Sequence, residues 1–221
     1  MFPVPPRVKI CCIQSDDEAR LAIRYGASAI GLVSSMPSGP GPIEDSRIRD
    51  IAESVPPGVA SFLLTCETSA DAITRQHRYC GTNTLQFVDE VETGTYERLH
   101  ESLRGISIVQ VIHVRDENAI DEAVRAAPHV NAILLDSGNP KAAVKELGGT
   151  GRRHDWSISR RIRESIDVAV YLAGGLNPGN VGEAIRTVQP FGVDVCSGLR
   201  TDGRLDEKKV EAFMIAVAGA L

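Results

Sequence analysis

A cysteine and an aspartate stand near the ends of two short apolar runs, where a side chain can face a ligand. Cys11 lies in the run 8–12, and Asp136 ends the run 132–136. A cysteine whose thiolate is stabilised acts as a nucleophile or a base, and a carboxylate at the end of a barrel strand is typical of an active site. The alternatives are a small buried core residue for Cys11 and the N-cap of the following turn for Asp136.

Two glycine-bearing turns follow the last two apolar runs, at residues 174–178 and 197–198. Glycine lets the backbone approach an anion closely, and the N–H groups at such turns donate to phosphate oxygens. In β/α barrels the phosphate site commonly uses the loops after strands seven and eight. We therefore predict that Gly174, Gly175, Ser197 and Gly198 bind phosphate. Tight turns without a ligand are the alternative.

Further polar residues are placed to contact the same ligand. Lys9 shares a strand face with Cys11 because side chains alternate along a strand, and Asp194 lies within the last apolar run, where a structural hydrogen bond is the alternative role. Gln86 lies in the fourth run. We predict that these residues bind substrate, together with Gly149, and we predict no metal site.

Gly149 belongs to the glycine group 148–151, which lies in an unusually long connection. Long connections of this kind are commonly functional, so a lid is one interpretation and a flexible surface excursion is the other. Arg152 and Arg153, which follow, contact either an anion or water. His113 and Trp156 are interpreted as packing residues.

Eight short apolar runs alternate with helical, charge-bearing segments along the whole chain, which is typical of βα units around a parallel sheet. The predicted strands cover residues 8–12, 29–33, 60–65, 84–88, 106–114, 132–136, 168–173 and 192–196. Predicted helices include residues 16–25, 69–79, 117–127, 157–164, 177–188 and 206–218.

We predict a single-domain α/β fold, the closed (β/α)8 TIM barrel, over residues 8–221, after a tail of residues 1–7. An open doubly wound sheet has similar strands, but it favours a glycine-rich turn after the first strand, where this chain has Cys12-Ile13-Gln14.

Composition restricts the class of protein. Hydrophobic residues make up 43% and charged residues 24%, which is ordinary for a globular chain. The net charge of −5 argues against broad binding of nucleic acid or of an anionic membrane. Five scattered cysteines suggest reduced thiols rather than a disulfide framework, and no signal segment is apparent at the N-terminus. We expect a cytoplasmic protein, monomeric or homodimeric, whose partner is a phosphorylated small molecule.

Five motifs in the same order and spacing resemble the phosphoribosylanthranilate isomerase family of tryptophan biosynthesis. The resemblance extends from about residue 8 to the C-terminus and is carried by residues 9–11, 134–136, 148–156, 173–181 and 193–198. It implies a (β/α)8 barrel that uses no metal or organic cofactor and catalyses an Amadori rearrangement of an N-phosphoribosyl arylamine. By the resemblance, Asp136 is the general acid that opens the ribose ring, and Cys11 is the general base that removes the proton from C2 of the sugar.

The chain departs from the family pattern at three places. The loop 36–42 lacks the arginine that meets the anthranilate carboxylate in the family. The family's Gln-Leu-His-Gly after strand four is Gln-Phe-Val-Asp at 86–89, which removes a histidine and adds Asp89. The family's Cys-Gly is Cys11-Cys12, and its usual Ser-Ser-Gly begins with Cys196.

The first two departures affect recognition of the aryl group and leave the acid, the base and the phosphate turns in place. We therefore expect weak turnover of phosphoribosylanthranilate itself, unless Arg115, Arg152 or Arg153 supplies the missing cation. Two other hypotheses stay open. One is a phosphate-binding barrel lyase or hydrolase acting on another sugar phosphate, and the other is a non-catalytic phosphoribosyl-ligand binding protein.

Overall fold

The computed structural model describes residues 5–138 and 153–220 and contains a closed barrel of eight parallel strands. Each strand pairs with the next in the chain, and the last pairs with the first. The strands are β1 (Arg7–Ile10), β2 (Ala29–Val33), β3 (Ala60–Thr65), β4 (Thr84–Phe87), β5 (Ser107–His113), β6 (Ala132–Asp136), β7 (Ala169–Leu172) and β8 (Gly192–Val195). The predicted TIM barrel is confirmed.

The strands are buried on both faces because the barrel has two apolar layers. On β5, Ile108 and Ile112 face outward and pack with the helices in the larger cluster. Val109 and Val111 alternate with them and face the barrel interior, in a smaller cluster. This arrangement explains the continuous apolar runs that the sequence shows, since a barrel wall covered by helices has no solvent face.

Eight α-helices surround the barrel in the described part of the chain. They are α1 (Asp16–Arg24), α2 (Asp45–Ser54), α3 (Ala70–Cys80), α4 (Thr93–Ser102), α5 (Asn118–Ala126), α6 (Trp156–Ser165), α7 (Val181–Val188) and α8 (Glu207–Ala218). Ser15, Ser69, Asp155 and Asp206 cap α1, α3, α6 and α8 by accepting backbone N–H hydrogen bonds. These side chains satisfy amides that the first turn of a helix leaves without partners.

Most predicted boundaries lie within two residues of the observed ones, and two differences have clear causes. The first strand ends at Ile10 rather than at residue 12, because Cys12 has a φ of 63° and leaves the extended conformation. Helix α7 begins at Val181 rather than at 177. Asn177 and Asn180 hydrogen-bond to each other there and form a separate turn, so the predicted start was wrong.

A short antiparallel pair after β8 was not predicted. It consists of β9 (Arg200–Thr201) and β10 (Arg204–Leu205). The Arg200 guanidinium donates to the Glu18 carboxylate at 2.9 Å, and it also donates to the carbonyl oxygen of Cys12. These hydrogen bonds join the segment after β8 to the segment after β1 and to helix α1.

None of the helices described is both long enough and apolar enough to span a membrane.

The last helix gives a matched test of the outer core. Phe213 on α8 is fully buried, whereas Ile215 on the same helix is 67% exposed. We expect Phe213→Ala to lower the free energy of unfolding by about 3–5 kcal/mol, through lost burial and a residual cavity. The control Ile215→Ala should change it by less than about 0.5 kcal/mol. Guanidinium unfolding measures both variants, and equal losses would contradict this account of α8.

Candidate active site

A pocket of about 700 Å³, open to solvent, lies at the carboxyl ends of the barrel strands. This is the end at which barrel enzymes place their chemistry. Predicted site residues that line it are Cys11, Gln86, Asp136, Gly174, Gly175, Asp194 and Ser197. Lys9 and Gly198 do not line the pocket, although Lys9 is bonded to Asp194 and Gly198 follows Ser197, both of which do. Gly149 lies outside the described residues, as do Gly148, Gly151 and Arg152.

Lys9 is completely buried inside the barrel, below Cys11. Its ammonium donates to the Asp194 carboxylate at 2.8 Å, and the two residues are register partners on β1 and β8. Burial alone lowers the pKa of a lysine, but here Asp194 and Cys11 outweigh it and hold the pKa of Lys9 above its ordinary value. Lys9 therefore remains charged beneath the pocket.

Gly31 on β2 leaves the space that Cys11 and Lys9 occupy. A Cβ atom at residue 31 would lie 2.7 Å from the Cys11 Sγ and 3.0 Å from the Lys9 Nζ. The thiol and the ammonium thus approach the same point of the β2 backbone from β1. Any larger residue at 31 would have to displace the thiol, which explains a glycine in the middle of a buried strand.

The surroundings of the Cys11 thiol lower its pKa. A hydrogen bond from the Cys12 side chain lowers the pKa of Cys11, and burial opposes this. The nearby Lys9 ammonium lowers it further, so the pKa lies below the usual range of a cysteine. Cys11 is therefore equipped to act as a thiolate.

Asp136 has the opposite environment on the other side of the pocket. It is the last residue of β6, and β7 and β8 separate it from β1. Burial raises the pKa of its carboxyl, while a backbone N–H of Ser137 and the nearby His113 counteract part of the rise. A carboxylic acid in this setting holds a proton at a higher pH than an exposed aspartate does.

The two glycine turns meet at the β7–β8 side of the pocket. Gly174 and Gly175 have φ values of 84° and 65°, which glycine adopts without strain. A Cβ at Gly198 would lie 2.0 Å from the carbonyl oxygen of Leu176, so the turn after β8 packs directly on the turn after β7. The amides of 174, 175, 197 and 198 donate no hydrogen bond to another described residue. Free amides in adjoining glycine turns are the usual elements of a phosphate site.

His154 is a residue of this region that the sequence interpretation missed. A Cβ at Gly174 would lie 2.9 Å from its Nδ1, and its Nε2 is 2.7 Å from the Ser159 Oγ. Burial lowers the pKa of His154 to about 4, so the ring is neutral at pH 7. Its Nδ1 is buried without a hydrogen-bond partner among the described residues. The only sequence signal was its place just before the N-cap of α6.

The side of the pocket beneath the loop 36–42, which follows β2, carries no basic side chain among the residues described. Its lining there includes Met36, Ser38, Gly39 and Pro40. Of the three arginines considered as substitutes, the two that the structure describes do not line this pocket. Arg115 lines a separate cavity between β5 and the neighbouring helices, the guanidinium of Arg153 lies 3.8 Å from the ring centroid of Trp156, and Arg152 is not described.

The remaining interpretations concern packing and metals. The Nε2 of His113 is 3.2 Å from the Val88 carbonyl oxygen, and Trp156 is buried at the start of α6. Both therefore pack in the core. Within residues 5–138 and 153–220, no three His, Cys, Asp or Glu side chains cluster in a way that could hold a metal ion.

Comparison with protein families and curated sequences gives a consistent result. The family model described as N-(5'phosphoribosyl)anthranilate (PRA) isomerase matches residues 8–216. An N-(5'-phosphoribosyl)anthranilate isomerase of Haloferax volcanii is 35% identical over 216 residues, which cover 97% of this chain and 94% of the relative. The N-(5'-phosphoribosyl)anthranilate isomerase 2 of Methanosarcina mazei is 35% identical over 210 residues, which cover 94% of this chain and 92% of the relative.

Solved structures agree with the sequences. The phosphoribosylanthranilate isomerase of Thermotoga maritima has a TM-score of 0.84 and 30% identity, over 97% of this chain and 99% of that chain. A phosphoribosylanthranilate isomerase solved with reduced 1-(o-carboxyphenylamino)-1-deoxyribulose 5-phosphate has a TM-score of 0.81 and 27% identity, with the same coverage. The family match, the identities and the shared barrel agree, and the chain belongs to the N-(5'-phosphoribosyl)anthranilate isomerase family.

Proposed function

We propose that this chain catalyses the Amadori rearrangement of N-(5-phosphoribosyl)anthranilate, an aldose-to-ketose isomerisation, with Asp136 as the general acid and Cys11 as the general base. The observation that carries the proposal is a pair of buried groups in one pocket whose pKa values shift in opposite directions. Burial favours the protonated form of Asp136, and the hydrogen bond and charge around Cys11 favour its thiolate. Environments that separate two pKa values in this way are typical of an acid and a base at work in one site.

The reaction needs these two groups in sequence. Asp136 gives its proton to the ribose ring oxygen while the C1–O bond breaks, and the amine lone pair forms an iminium at C1. The iminium acidifies the proton on C2, which the Cys11 thiolate removes. The resulting enolamine gains a proton at C1 and loses the C2 hydroxyl proton, which yields the ketose without any redox partner.

The barrel positions the substrate between the two groups. The acid ends β6 and the base directly follows β1, so a sugar lying across the pocket can meet both. We propose that the amides of Gly174, Gly175, Ser197 and Gly198 hold its 5-phosphate between those strands, at β7 and β8. Gln86 and Asp194 also line the pocket and are proposed substrate contacts, whereas Lys9 acts through Asp194 and Cys11.

We also propose that residues 8–221 form one domain after a tail of residues 1–7 and that the protein acts in the cytoplasm as a monomer or a homodimer. Among the relatives, the Thermotoga maritima isomerase is described as dimeric and has also been solved as monomers. The proposal includes neither a nucleic acid nor a membrane as a partner.

The phosphate site can be tested apart from catalysis. We expect Gly198→Ala to weaken binding of inorganic phosphate at least tenfold, because the added Cβ collides with the Leu176 carbonyl and separates the two turns. Gly94→Ala on α4 is the control, since a Cβ there meets nothing within 4 Å. Isothermal titration measures affinity. A crystal structure with phosphate seated elsewhere and these turns empty would overturn the assignment.

The acid and the base can be tested by removing each. We expect Cys11→Ala and Asp136→Asn to lower kcat by about 10²–10⁴-fold, the usual contribution of a proton-transfer group. Phosphate affinity should stay within a few-fold, since the turns are separate from both residues. Cys66→Ala, a half-buried thiol outside the pocket lining, should keep wild-type turnover. Wild-type turnover in either test variant would remove that residue from the mechanism.

In wild type, kcat/KM should fall at low pH as the thiolate is protonated and at high pH as Asp136 loses its proton. If no phosphoribosyl amine is turned over while phosphate binds, the chain is a binding protein. Turnover of another sugar phosphate alone would indicate a different reaction class.

Recognition of the anthranilate carboxylate is the third test. A charge-assisted hydrogen bond is worth about 1.5–3 kcal/mol, or roughly 10–150-fold in affinity. Because no described lining residue is basic, we expect kcat/KM for phosphoribosylanthranilate to exceed that for phosphoribosylaniline by less than about tenfold. The kcat/KM for phosphoribosylanthranilate should also lie below the usual enzyme range of about 10⁴–10⁸ M⁻¹s⁻¹.

Arg115→Ala and Arg153→Ala should leave the ratio unchanged, since neither side chain lines the pocket. A preference above about 100-fold that Arg152→Ala abolishes would contradict the expectation and assign that arginine to the carboxylate.

A further inference from the structure

A second cavity lies between the fifth strand and the helices α4 and α5. It contains about 870 Å³, counted out to its mouth, which is within the size range of small-molecule sites. Helix α4 packs against α3 and helix α5 packs against α6, so the cavity opens where two helices of the outer ring part. Protein interiors are ordinarily close-packed, and an opening of this size in the helix layer is therefore a candidate binding site.

Two valines separate this cavity from the proposed active site. Val88 and Val111 line both of them. The residues proposed for proton transfer and for phosphate binding do not line the second cavity. A ligand bound there would lie next to the substrate without occupying the substrate's place.

The floor of the cavity is polar where the neighbouring strands are apolar. Gln110 on β5 lines it, although its register partners on β4 and β6 are Phe87 and Ile133. The Gln110 amide donates to the carbonyl oxygen of Asp89 at 3.0 Å, and its Oε1 accepts from the Tyr96 hydroxyl at 2.6 Å. Buried polar groups that bond to one another hold their side chains in one arrangement, so this floor is rigid.

The walls give the cavity an apolar and aromatic interior. Val91 from the connection before α4, Ile112 from β5 and Ala126 from the end of α5 all line it. The ring of Tyr96 stacks on the ring of His129, with centroids 5.7 Å apart and planes at 9°. An apolar group of a ligand would leave water when it entered between these walls, which favours binding.

Four charged side chains also line the cavity, two of each sign. They are Glu90, Arg115, Glu122 and Arg125. Glu122 is half-buried and the other three are exposed, and none of the four is in an ion pair with another residue of the described ranges. A ligand with a single charge would be repelled by two of these groups, whereas a ligand with one charge of each sign can pair with both. Charge complementarity therefore favours a zwitterion.

We propose that the cavity between α4 and α5 is a second ligand site, which binds a zwitterionic α-amino acid with an apolar side chain. Glu122 and Arg125 are three residues apart on α5, and residues at that spacing are neighbours on a helix surface. They present a carboxylate and a guanidinium side by side, as an α-amino acid presents its ammonium and its carboxylate. The apolar side chain of the ligand then lies between the walls of the cavity.

The test compares three ligands that share one ring and differ in charge. L-Phenylalanine carries both charged groups, 3-phenylpropionate lacks the ammonium, and phenethylamine lacks the carboxylate. Isothermal titration measures the first, and saturation-transfer NMR follows the two weaker analogues. We expect L-phenylalanine to bind with a Kd of about 1 mM or tighter, and each analogue to bind at least about tenfold more weakly, since each loses one charge-assisted contact.

Two variants assign the charges to residues. Arg125→Ala should weaken L-phenylalanine at least about tenfold and leave phenethylamine unchanged, because phenethylamine has no carboxylate to lose a partner. Glu122→Gln should weaken L-phenylalanine similarly and leave 3-phenylpropionate unchanged. Arg104→Ala and Glu101→Gln are the matched controls, since both side chains are exposed and neither lines the cavity. Both controls should bind L-phenylalanine as wild type does.

Three results would overturn the proposal. They are no binding of L-phenylalanine up to roughly 10 mM, equal affinity for L-phenylalanine and 3-phenylpropionate, and a crystal structure with L-phenylalanine seated outside this cavity. The titrations need no turnover, so a failure of the proposed isomerase activity would leave this site untouched. Turnover in a protein that binds none of the three ligands would reject the second site alone.

Discussion

The ion pair between Lys9 and Asp194 is the interaction on which the active site depends. It joins the first strand to the last at the seam where the barrel closes, with the ammonium completely buried and the carboxylate at the floor of the pocket. A buried ammonium without a partner would be strongly unfavourable, so the pair holds β1 and β8 in one register. That register sets the height of Cys11 relative to β8 and brings the turn after β8 beside the pocket. The base and half of the phosphate site therefore share one structural support.

Asp136 and Cys11 are both buried at the pocket, yet the proposed mechanism needs opposite protonation states of them. Burial favours the neutral form of both an acid and a thiol, which suits Asp136 but works against Cys11. Burial raises the pKa of Cys11, and the neighbouring Cys12 and Lys9 side chains lower it by more. At Asp136 no comparable cation dominates, and burial prevails. The difference between the two roles thus arises from the immediate neighbours of each residue and not from its depth in the barrel.

The sequence was sufficient for features that depend on local pattern. Strands such as β2, β3 and β6 were predicted with their observed bounds because apolar runs between turn residues mark a buried strand directly. The glycine turns were recognised for the same reason. Features that depend on contacts between distant segments were not accessible. The pairing of Lys9 with Asp194 and the ring of His154 over Gly174 require a closed barrel before they exist. The positive φ of Cys12 could not be read from the residue itself, since cysteine seldom adopts it, and the contacts with Gly41 and Arg200 appear only in the folded chain.

The seam has a consequence for how the protein is made. Lys9 and Asp194 are 185 positions apart, so Lys9 leaves the ribosome long before its partner is synthesised. Until Asp194 is present, burial of that ammonium lacks its ion-pair partner and is unfavourable. Closure is then a late event that demands a long-range contact, of the kind that slows folding. The charge that lowers the pKa of the Cys11 thiol therefore gains its own partner only when the last strand joins the barrel.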